Sequence, residues 1–474
     1  MESKYIEDDP SLAAGVYSHP LTYSFDESLP GPDKFRYSFD QGGLKCSELP
    51  AKNSQICIVS PTEMTALQHE QPCFAYIDNG CWVDNADGKG KKRRDFALVC
   101  GPHIYLCEYA VIPTMTKSKI PAVDAFFSHM KTAFGGIRVL SYLRAMDTLP
   151  KSTSDTDLYL LLGDLHLPPV SWFYDKETAS NWEVVYDYDG PKWLENIPQF
   201  TISSIFRSYY EISSYHRQNG TVPNPIQPLG NPDIFGKAEA SLVAFLDRIS
   251  SMPNDIKDKF HFVQSGDMFE LWLGREYQYL PGPENKPVLK SSDSAKTIAG
   301  WCLEVMIQNI GVFEAFKRLE TSGLKEVRYL SGNHDTYLQE TSITQQLGIP
   351  NRDLAYAGLN GDIHIEHGHR FDDANYDNVS GSSPIGGPLL ANAAYALPQV
   401  RSLEDPLRSA FGIAHTSNER DFYLLGASLI FLSQKYDHKA PPFAIFTMGH
   451  THAPLLCRFK LKAELHLYSR EYTQ

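Results

Sequence analysis

Five apolar runs of this chain each end in a short cluster of metal-ligating residue types. Each run is long enough for one buried strand, and a glycine lies beside the polar residues that follow it. The clusters are Gly163-Asp164-Leu165-His166, Gly266-Asp267-Met268-Phe269-Glu270, Gly332-Asn333-His334-Asp335, His367-Gly368-His369 and Gly449-His450-Thr451-His452. Open α/β sheets bind ligands beyond the carboxyl ends of their strands. The pattern therefore predicts an α/β chain with one polar site at a sheet edge.

The polar clusters have the composition of a site for two divalent metal ions, which sit about 3.5–4 Å apart in such centres. Asp164 and His166 are two positions apart, so both side chains point the same way from an extended strand end. Asp267 follows the next strand and is the natural bridging carboxylate. The other candidate ligands are Asn333, His367, His450 and His452. Mixed nitrogen and oxygen ligands favour Mn, Fe or Zn over Mg or Ca.

In this order, the five clusters resemble the signature of the calcineurin-like metallophosphoesterases, which reads Asp-x-His, Gly-Asp, Gly-Asn-His-Asp/Glu, His and Gly-His-x-His. The resemblance covers roughly residues 157–455. The segment from Gly266 to Trp272, together with the last cluster, is similar to the UDP-2,3-diacylglucosamine pyrophosphatase branch. The resemblance implies a four-layer β-sandwich flanked by helices, an α/β fold that some schemes class as α+β.

The resemblance also implies which residues hold each ion. The first ion takes Asp164, His166, Asp267 and His452. The second ion takes Asp267, Asn333, His367 and His450. A hydroxide bridging the two ions is then the nucleophile, and Mn²⁺ is the first choice of metal. His334 stabilises charge or protonates the leaving oxygen, and Asp335 orients His334.

Two positions depart from the lipid-precursor branch. Its members commonly have Arg where this chain has His334, although related enzymes carry His, and they tend to read His-Gly-Asp at His367-Gly368-His369. Both departures weaken the case for a lipid-nucleotide substrate and leave the superfamily resemblance intact. His369 and Arg370 are candidate contacts to substrate phosphate, with a structural role as the equal alternative. Glu270 and Trp272 are expected to support the ligands from behind and to pack around them rather than to act in catalysis.

The expected activity is a metal-dependent phosphoester hydrolase of the phosphodiesterase or pyrophosphatase type, acting on a small-molecule or lipid-linked ester. A phosphomonoesterase or protein phosphatase is the alternative within the same chemistry. A nuclease and a non-catalytic metal-binding scaffold are the remaining alternatives. The net charge of −14 at pH 7 repels polyanions, so nucleic acid is not an expected partner.

The chain divides, by its pattern, into two parts. Residues 1–150 are predicted to be an extension or small β-rich domain that ends in an amphipathic helix over 121–146, and partner binding is one role open to it. Residues 151–474 are predicted to be the metallophosphoesterase domain. Insertions at about 167–234 and 373–420 are expected to be lids, substrate walls or surface elaborations.

The cellular setting is predicted to be cytoplasmic. The acidic N-terminus lacks the apolar region of a signal peptide, and the eight cysteines contain no CxxC pair. No run approaches the roughly 18 apolar residues of a membrane-spanning helix, which leaves peripheral contact as the one membrane role considered. A protein secreted without a leader is the alternative.

Overall fold

The computed structural model describes most of the predicted core of the chain. The described ranges are 5–26, 35–41, 44–45, 74–83, 92–110, 117–132, 135–145, 156–167, 239–271, 309–369 and 444–468, with residues 299, 302, 305 and 306. Arg370, the insertion predicted at about 373–420 and, beyond Leu167, the insertion predicted at about 167–234 lie outside these ranges.

Two mixed sheets form the framework of the described residues. In spatial order, the six-stranded sheet contains β10 (Glu326–Tyr329), β9 (Phe260–Gln264), β8 (Leu158–Leu162), β5 (Asp95–Cys100), β6 (His103–Ala110) and β7 (Gly136–Arg144). The eight-stranded sheet contains β11 (Ala355–Gly358), β12 (Ile363–Glu366), β13 (Ile445–Met448), β4 (Phe74–Asp78), β14 (Leu455–Tyr468), β1 (Gly15–Asp26), β2 (Phe35–Gln41) and β3 (Leu44–Lys45).

Several helices accompany the sheets. The α-helices are α1 (Pro121–Met130), α2 (Glu239–Ser250), α3 (Asn254–Lys257), α4 (Ile310–Glu320) and α5 (Thr341–Leu347). Short 3-10 turns occur at Ile6–Asp8, Pro10–Leu12, Thr336–Gln339 and Leu359–Gly361. No helix in the described ranges has the length and apolar character needed to cross a bilayer.

The six-stranded sheet lies between the helices and the eight-stranded sheet, as its strand β8 shows. Its alternate side chains Leu158, Leu160 and Leu162 join the core that contains α1, α2 and α4. Tyr159 and Leu161 point the other way, into a core shared with the eight-stranded sheet. A strand buried on both faces needs a continuous apolar sequence, which this run provides.

Parallel pairing brings the five polar clusters to strand ends that face the same way within each sheet. Strands β8, β9 and β10 run parallel, as do β12, β13 and β4. The first three clusters therefore leave one edge of the six-stranded sheet, and the last two leave one edge of the eight-stranded sheet. This arrangement confirms the predicted α/β class at the level of mixed sheets with helices.

The helix expected across residues 121–146 is wrong in its second half. Helix α1 ends at Met130, and β7 begins at Gly136. Two consecutive glycines, Gly135 and Gly136, each cost a helix about 1 kcal/mol relative to alanine and favour a break here. The first side chains of β7 then alternate between buried and exposed, which is the period of a strand.

Among the described residues, strands from the first 150 positions pair with strands from later in the chain. Strand β5 pairs with β8 along its length, and β4 lies between β13 and β14. The boundary predicted at residue 150 therefore does not separate the two sheets, because both sheets contain strands from either side of it.

Candidate metal centre

The loops that follow β8, β9, β10, β12 and β13 bring the predicted ligands together in the interior. Each predicted ligand is at most 6% exposed. The residues concerned are Asp164, His166, Asp267, Asn333, His367, His450 and His452. Buried carboxylates and imidazoles are costly unless they are paired with one another or with a cation.

One group of ligand atoms lies between the first and last clusters. The Nε2 atom of His452 is 3.1 Å from Oδ2 of Asp164 and 2.8 Å from Nε2 of His166. Single ligand atoms of these three residues all lie within 4.8 Å of one another. They form a set that could hold one metal ion.

A second group lies between the other clusters. The Nε2 atom of His367 is 3.0 Å from Oδ2 of Asp267 and 3.0 Å from Oδ1 of Asn333. His450 completes this group, because its ligand atom lies within 4.8 Å of those of Asp267 and His367. The structure thus brings together all seven residues predicted from the sequence.

The two groups share the carboxylate of Asp267. Its Oδ2 atom is 3.0 Å from Nε2 of His367 in the second group and 3.8 Å from Nε2 of His166 in the first group. One oxygen within reach of ligand atoms on both sides is the arrangement that a bridging carboxylate requires.

The orientation of the imidazoles fits a cation. Nδ1 of His367 donates a hydrogen bond to the carbonyl oxygen of Ser265 at 3.1 Å, so Nε2 faces the oxygens of Asp267 and Asn333. Nδ1 of His166 is likewise engaged, at 2.8 Å from Glu270. With Nδ1 engaged on both rings, Nε2 is the nitrogen left to face each group, as in histidines that bind a metal ion.

The pKa values at the centre reflect how closely its buried charged groups are packed. Burial raises the pKa of Asp164 to about 7, and the nearby carboxylate of Asp267 adds to the rise while His367 opposes it. Burial alone would lower the pKa of His367, but Asp267 and Asp164 outweigh it and raise that pKa to about 9. Two carboxylates this close need compensating positive charge.

Four of the predicted ligands have a positive φ angle, a backbone conformation that residues other than glycine rarely adopt. The φ angles are 44° at His166, 50° at Asp267, 74° at His450 and 61° at His452. Positive φ costs roughly 1–2 kcal/mol for a residue with a Cβ atom. Such strain persists where the surrounding contacts enforce it, and it is concentrated at functional sites.

Glu270 supports the ligands from behind, as expected, and contacts two histidines of the site. Its Oε1 accepts from Nδ1 of His334 at 2.7 Å, and its Oε2 accepts from Nδ1 of His166 at 2.8 Å. One buried carboxylate therefore orients a ligand and the candidate catalytic histidine together.

The structure corrects the role expected for Asp335. Its carboxylate accepts hydrogen bonds from the backbone N–H groups of Gly332 at 2.7 Å, Met268 at 2.9 Å and Phe269 at 3.3 Å. Glu270 contacts the His334 ring instead. Burial, together with the charge of Asp267, raises the pKa of Asp335. Asp335 therefore ties the loops after β9 and β10 to each other.

His369, a candidate for substrate contact, lies beside the second group. It is buried, and its ring centroid is 5.4 Å from that of His367. Arg370, the other candidate, is outside the described residues.

Comparison with protein-family models, with curated proteins and with solved structures found no match to this chain. The family expected from the five clusters therefore stays a prediction that depends on the residues themselves.

Proposed function

We propose that this protein is a phosphoester hydrolase of the phosphodiesterase or pyrophosphatase type that depends on two metal ions. The single observation that carries the proposal is the shared position of Asp267 Oδ2 between two buried groups of ligand atoms. We place the chain, by its motifs, among the calcineurin-like metallophosphoesterases, with their four-layer β-sandwich and with Mn²⁺ as the first metal to test.

The chemistry divides between the ions and the chain. When bound, two divalent cations activate a water molecule and neutralise charge on the phosphoryl oxygens. The chain supplies the rest: Asp267 fixes the spacing of the two groups, and the burial of the ligands keeps bulk water from competing for them. The acidic balance of the whole molecule does not prevent phosphate binding, because the local charge is set by the ions.

His334 is suited to hand a proton to the leaving oxygen. Nδ1 is held by Glu270 at 2.7 Å, and Nε2 lies 4.0 Å from Oδ2 of the bridging Asp267. Burial alone would lower the pKa of His334, but Glu270 and Asp267 outweigh it and the pKa lies above its ordinary value. Glu270 thus holds the proton on Nδ1 and leaves Nε2 on the side of Asp267, where a general acid would donate.

The proposal is tested with the full chain loaded with manganese. Metal analysis should give two ions per chain, and bis-p-nitrophenyl phosphate should be hydrolysed faster than the p-nitrophenyl monoester. A chain that binds no manganese, or hydrolyses neither ester, refutes the proposal. Preference for the monoester would instead move the function to a phosphomonoesterase.

His334→Ala should leave both ions bound and slow hydrolysis by about 10²–10⁴-fold, because it removes proton transfer but no proposed ligand. Metal content and single-turnover rates measure the two effects separately. Unchanged kinetics would exclude His334 from the mechanism.

Glu270→Gln should slow hydrolysis by about 10–100-fold and also weaken binding of the first ion, since the side chain orients both His334 and His166. The double variant with His334→Ala gives the check. If Glu270 acts on turnover through His334, adding Glu270→Gln to His334→Ala should slow turnover little further. It should still weaken binding of the first ion. Fully additive rate losses would show that Glu270 acts elsewhere.

A further inference from the structure

A loop from the N-terminal part of the chain lies directly against the metal centre. After β4 ends, the N–H of Trp82 donates to the carbonyl oxygen of Asp164 at 2.8 Å. The carbonyl oxygen of Gly80 is so close to Gly163 that a Cβ atom there would meet it at 1.8 Å. Sγ of Cys81 lies 3.7 Å from the carbonyl oxygen of His452. This loop belongs to a part of the sequence to which no motif assigned a role.

Asn79, the first residue of this loop, contacts Ser265 next to the site. It is fully buried, and its Nδ2 donates to the hydroxyl of Ser265 at 2.9 Å. Within the described part of the chain, its Oδ1 has no hydrogen-bond partner. An unpaired buried acceptor costs about 1–3 kcal/mol, so packing alone does not account for an amide at this position. The hydrogen bond from Nδ2 to Ser265 is the interaction that explains why an amide occupies this position.

Ser265 connects that amide to a ligand. Its hydroxyl donates to the carbonyl oxygen of Leu162 at 3.0 Å, so the side chain is fixed from two sides. Its own carbonyl oxygen accepts from Nδ1 of His367 at 3.1 Å. This carbonyl is the nearer of two oxygens beside Nδ1 of His367, the other being Oδ1 of Asp164 at 3.5 Å, so it helps to set the direction of Nε2.

We propose that Asn79 is a positioning residue of the metal centre, which orients His367 by holding Ser265 in place. The inference rests on the proposed function in that it takes His367 as a metal ligand. It extends that function to the N-terminal part of the chain, which then completes the hydrolytic site. Residues that orient metal ligands from behind typically change metal affinity by about 10–100-fold when removed.

The experiment compares Asn79→Ala, Ser265→Ala and the double variant in the full chain. Manganese affinity, measured by calorimetry, should fall by about 10–100-fold in Asn79→Ala. The double variant should bind manganese no more weakly than Ser265→Ala, because the effect of Asn79 passes through the hydroxyl. Additive losses of affinity would overturn the proposal.

Asn309→Ala is the matched control, since Asn309 is also fully buried and its Nδ2 donates to a carbonyl oxygen, that of Val305, at 2.8 Å. It should lower thermal stability and leave manganese affinity unchanged. An equal loss of affinity in Asn79→Ala and Asn309→Ala would show that Asn79 is merely structural.

A second readout needs no metal. In the EDTA-treated chain, the Nδ1-bound proton of His367, observed by NMR, should exchange faster with water in Asn79→Ala than in the wild type or in Asn309→Ala. Unchanged exchange in Asn79→Ala overturns the inference. Absence of manganese binding in the wild type would overturn the proposed function instead, and the exchange rates would still decide the role of Asn79.

Discussion

Asp267→Ala is expected to lower the metal content from two ions per chain to one at most and to slow phosphoester hydrolysis by at least about 10³-fold. The reason is geometric. Oδ2 of Asp267 lies within 4 Å of ring nitrogens of both His367 and His166, so its loss removes an oxygen that the two groups share. Elemental analysis of the purified chain and initial rates with bis-p-nitrophenyl phosphate measure the two effects.

Asp267→Asn separates the charge of this side chain from its hydrogen bond. Oδ1 of Asp267 accepts from the backbone N–H of His334 at 2.9 Å, and the amide oxygen of Asn can keep that contact. We expect this variant to fold like the wild type and still to lose the second ion, because a neutral amide bridges two cations poorly. Asp255→Ala, at an exposed aspartate of α3, is the matched control and should bind both ions. Two ions and near-normal turnover in Asp267→Ala would refute the bridged centre.

Much of the site could be predicted from the sequence because its ligands follow strands that are recognisable on their own. The run from Leu158 to Leu162 is apolar at every position, as expected for a strand buried on both faces. Its end is then fixed by Gly163 and the polar residues beyond. The same local pattern recurs at the other four clusters. Parallel pairing of the strands then brings the clusters of each sheet to the same edge.

The parts that the sequence did not reveal depend on contacts between distant segments. Nothing local to β5 indicates that it pairs with β8, about sixty residues further on. The stripe that predicted a helix beyond Met130 uses apolar positions that also suit a strand, and the glycine pair at 135–136 decided the outcome. The two histidine partners of Glu270 were not predicted, for a similar reason. A lone carboxylate near a ligand becomes informative only when two rings are seen to point at it.

Gly332→Ala is expected to remove metal binding, although the new methyl group touches no ion. A Cβ atom at this position would lie 1.9 Å from Oδ1 and 2.6 Å from Cγ of Asp267, and 2.6 Å from its backbone nitrogen. The backbone cannot yield as a flexible side chain would, so the loops after β9 and β10 must move apart. Asp267 and Asn333 then leave their positions opposite His367. Overpacking of this kind costs about 1–3 kcal/mol of unfolding free energy.

Gly323→Ala is the control that separates loss of stability from loss of the site. Gly323 has φ of 85° with nothing within 4 Å of a Cβ atom, so alanine there adds backbone strain of about 1–2 kcal/mol without a clash. Urea unfolding should therefore show a similar loss of stability in both variants, whereas elemental analysis should show manganese lost only in Gly332→Ala. If both variants kept two ions, the loop contact between Gly332 and Asp267 would not set the geometry of the centre. If both lost them, the centre would depend on overall stability rather than on this contact.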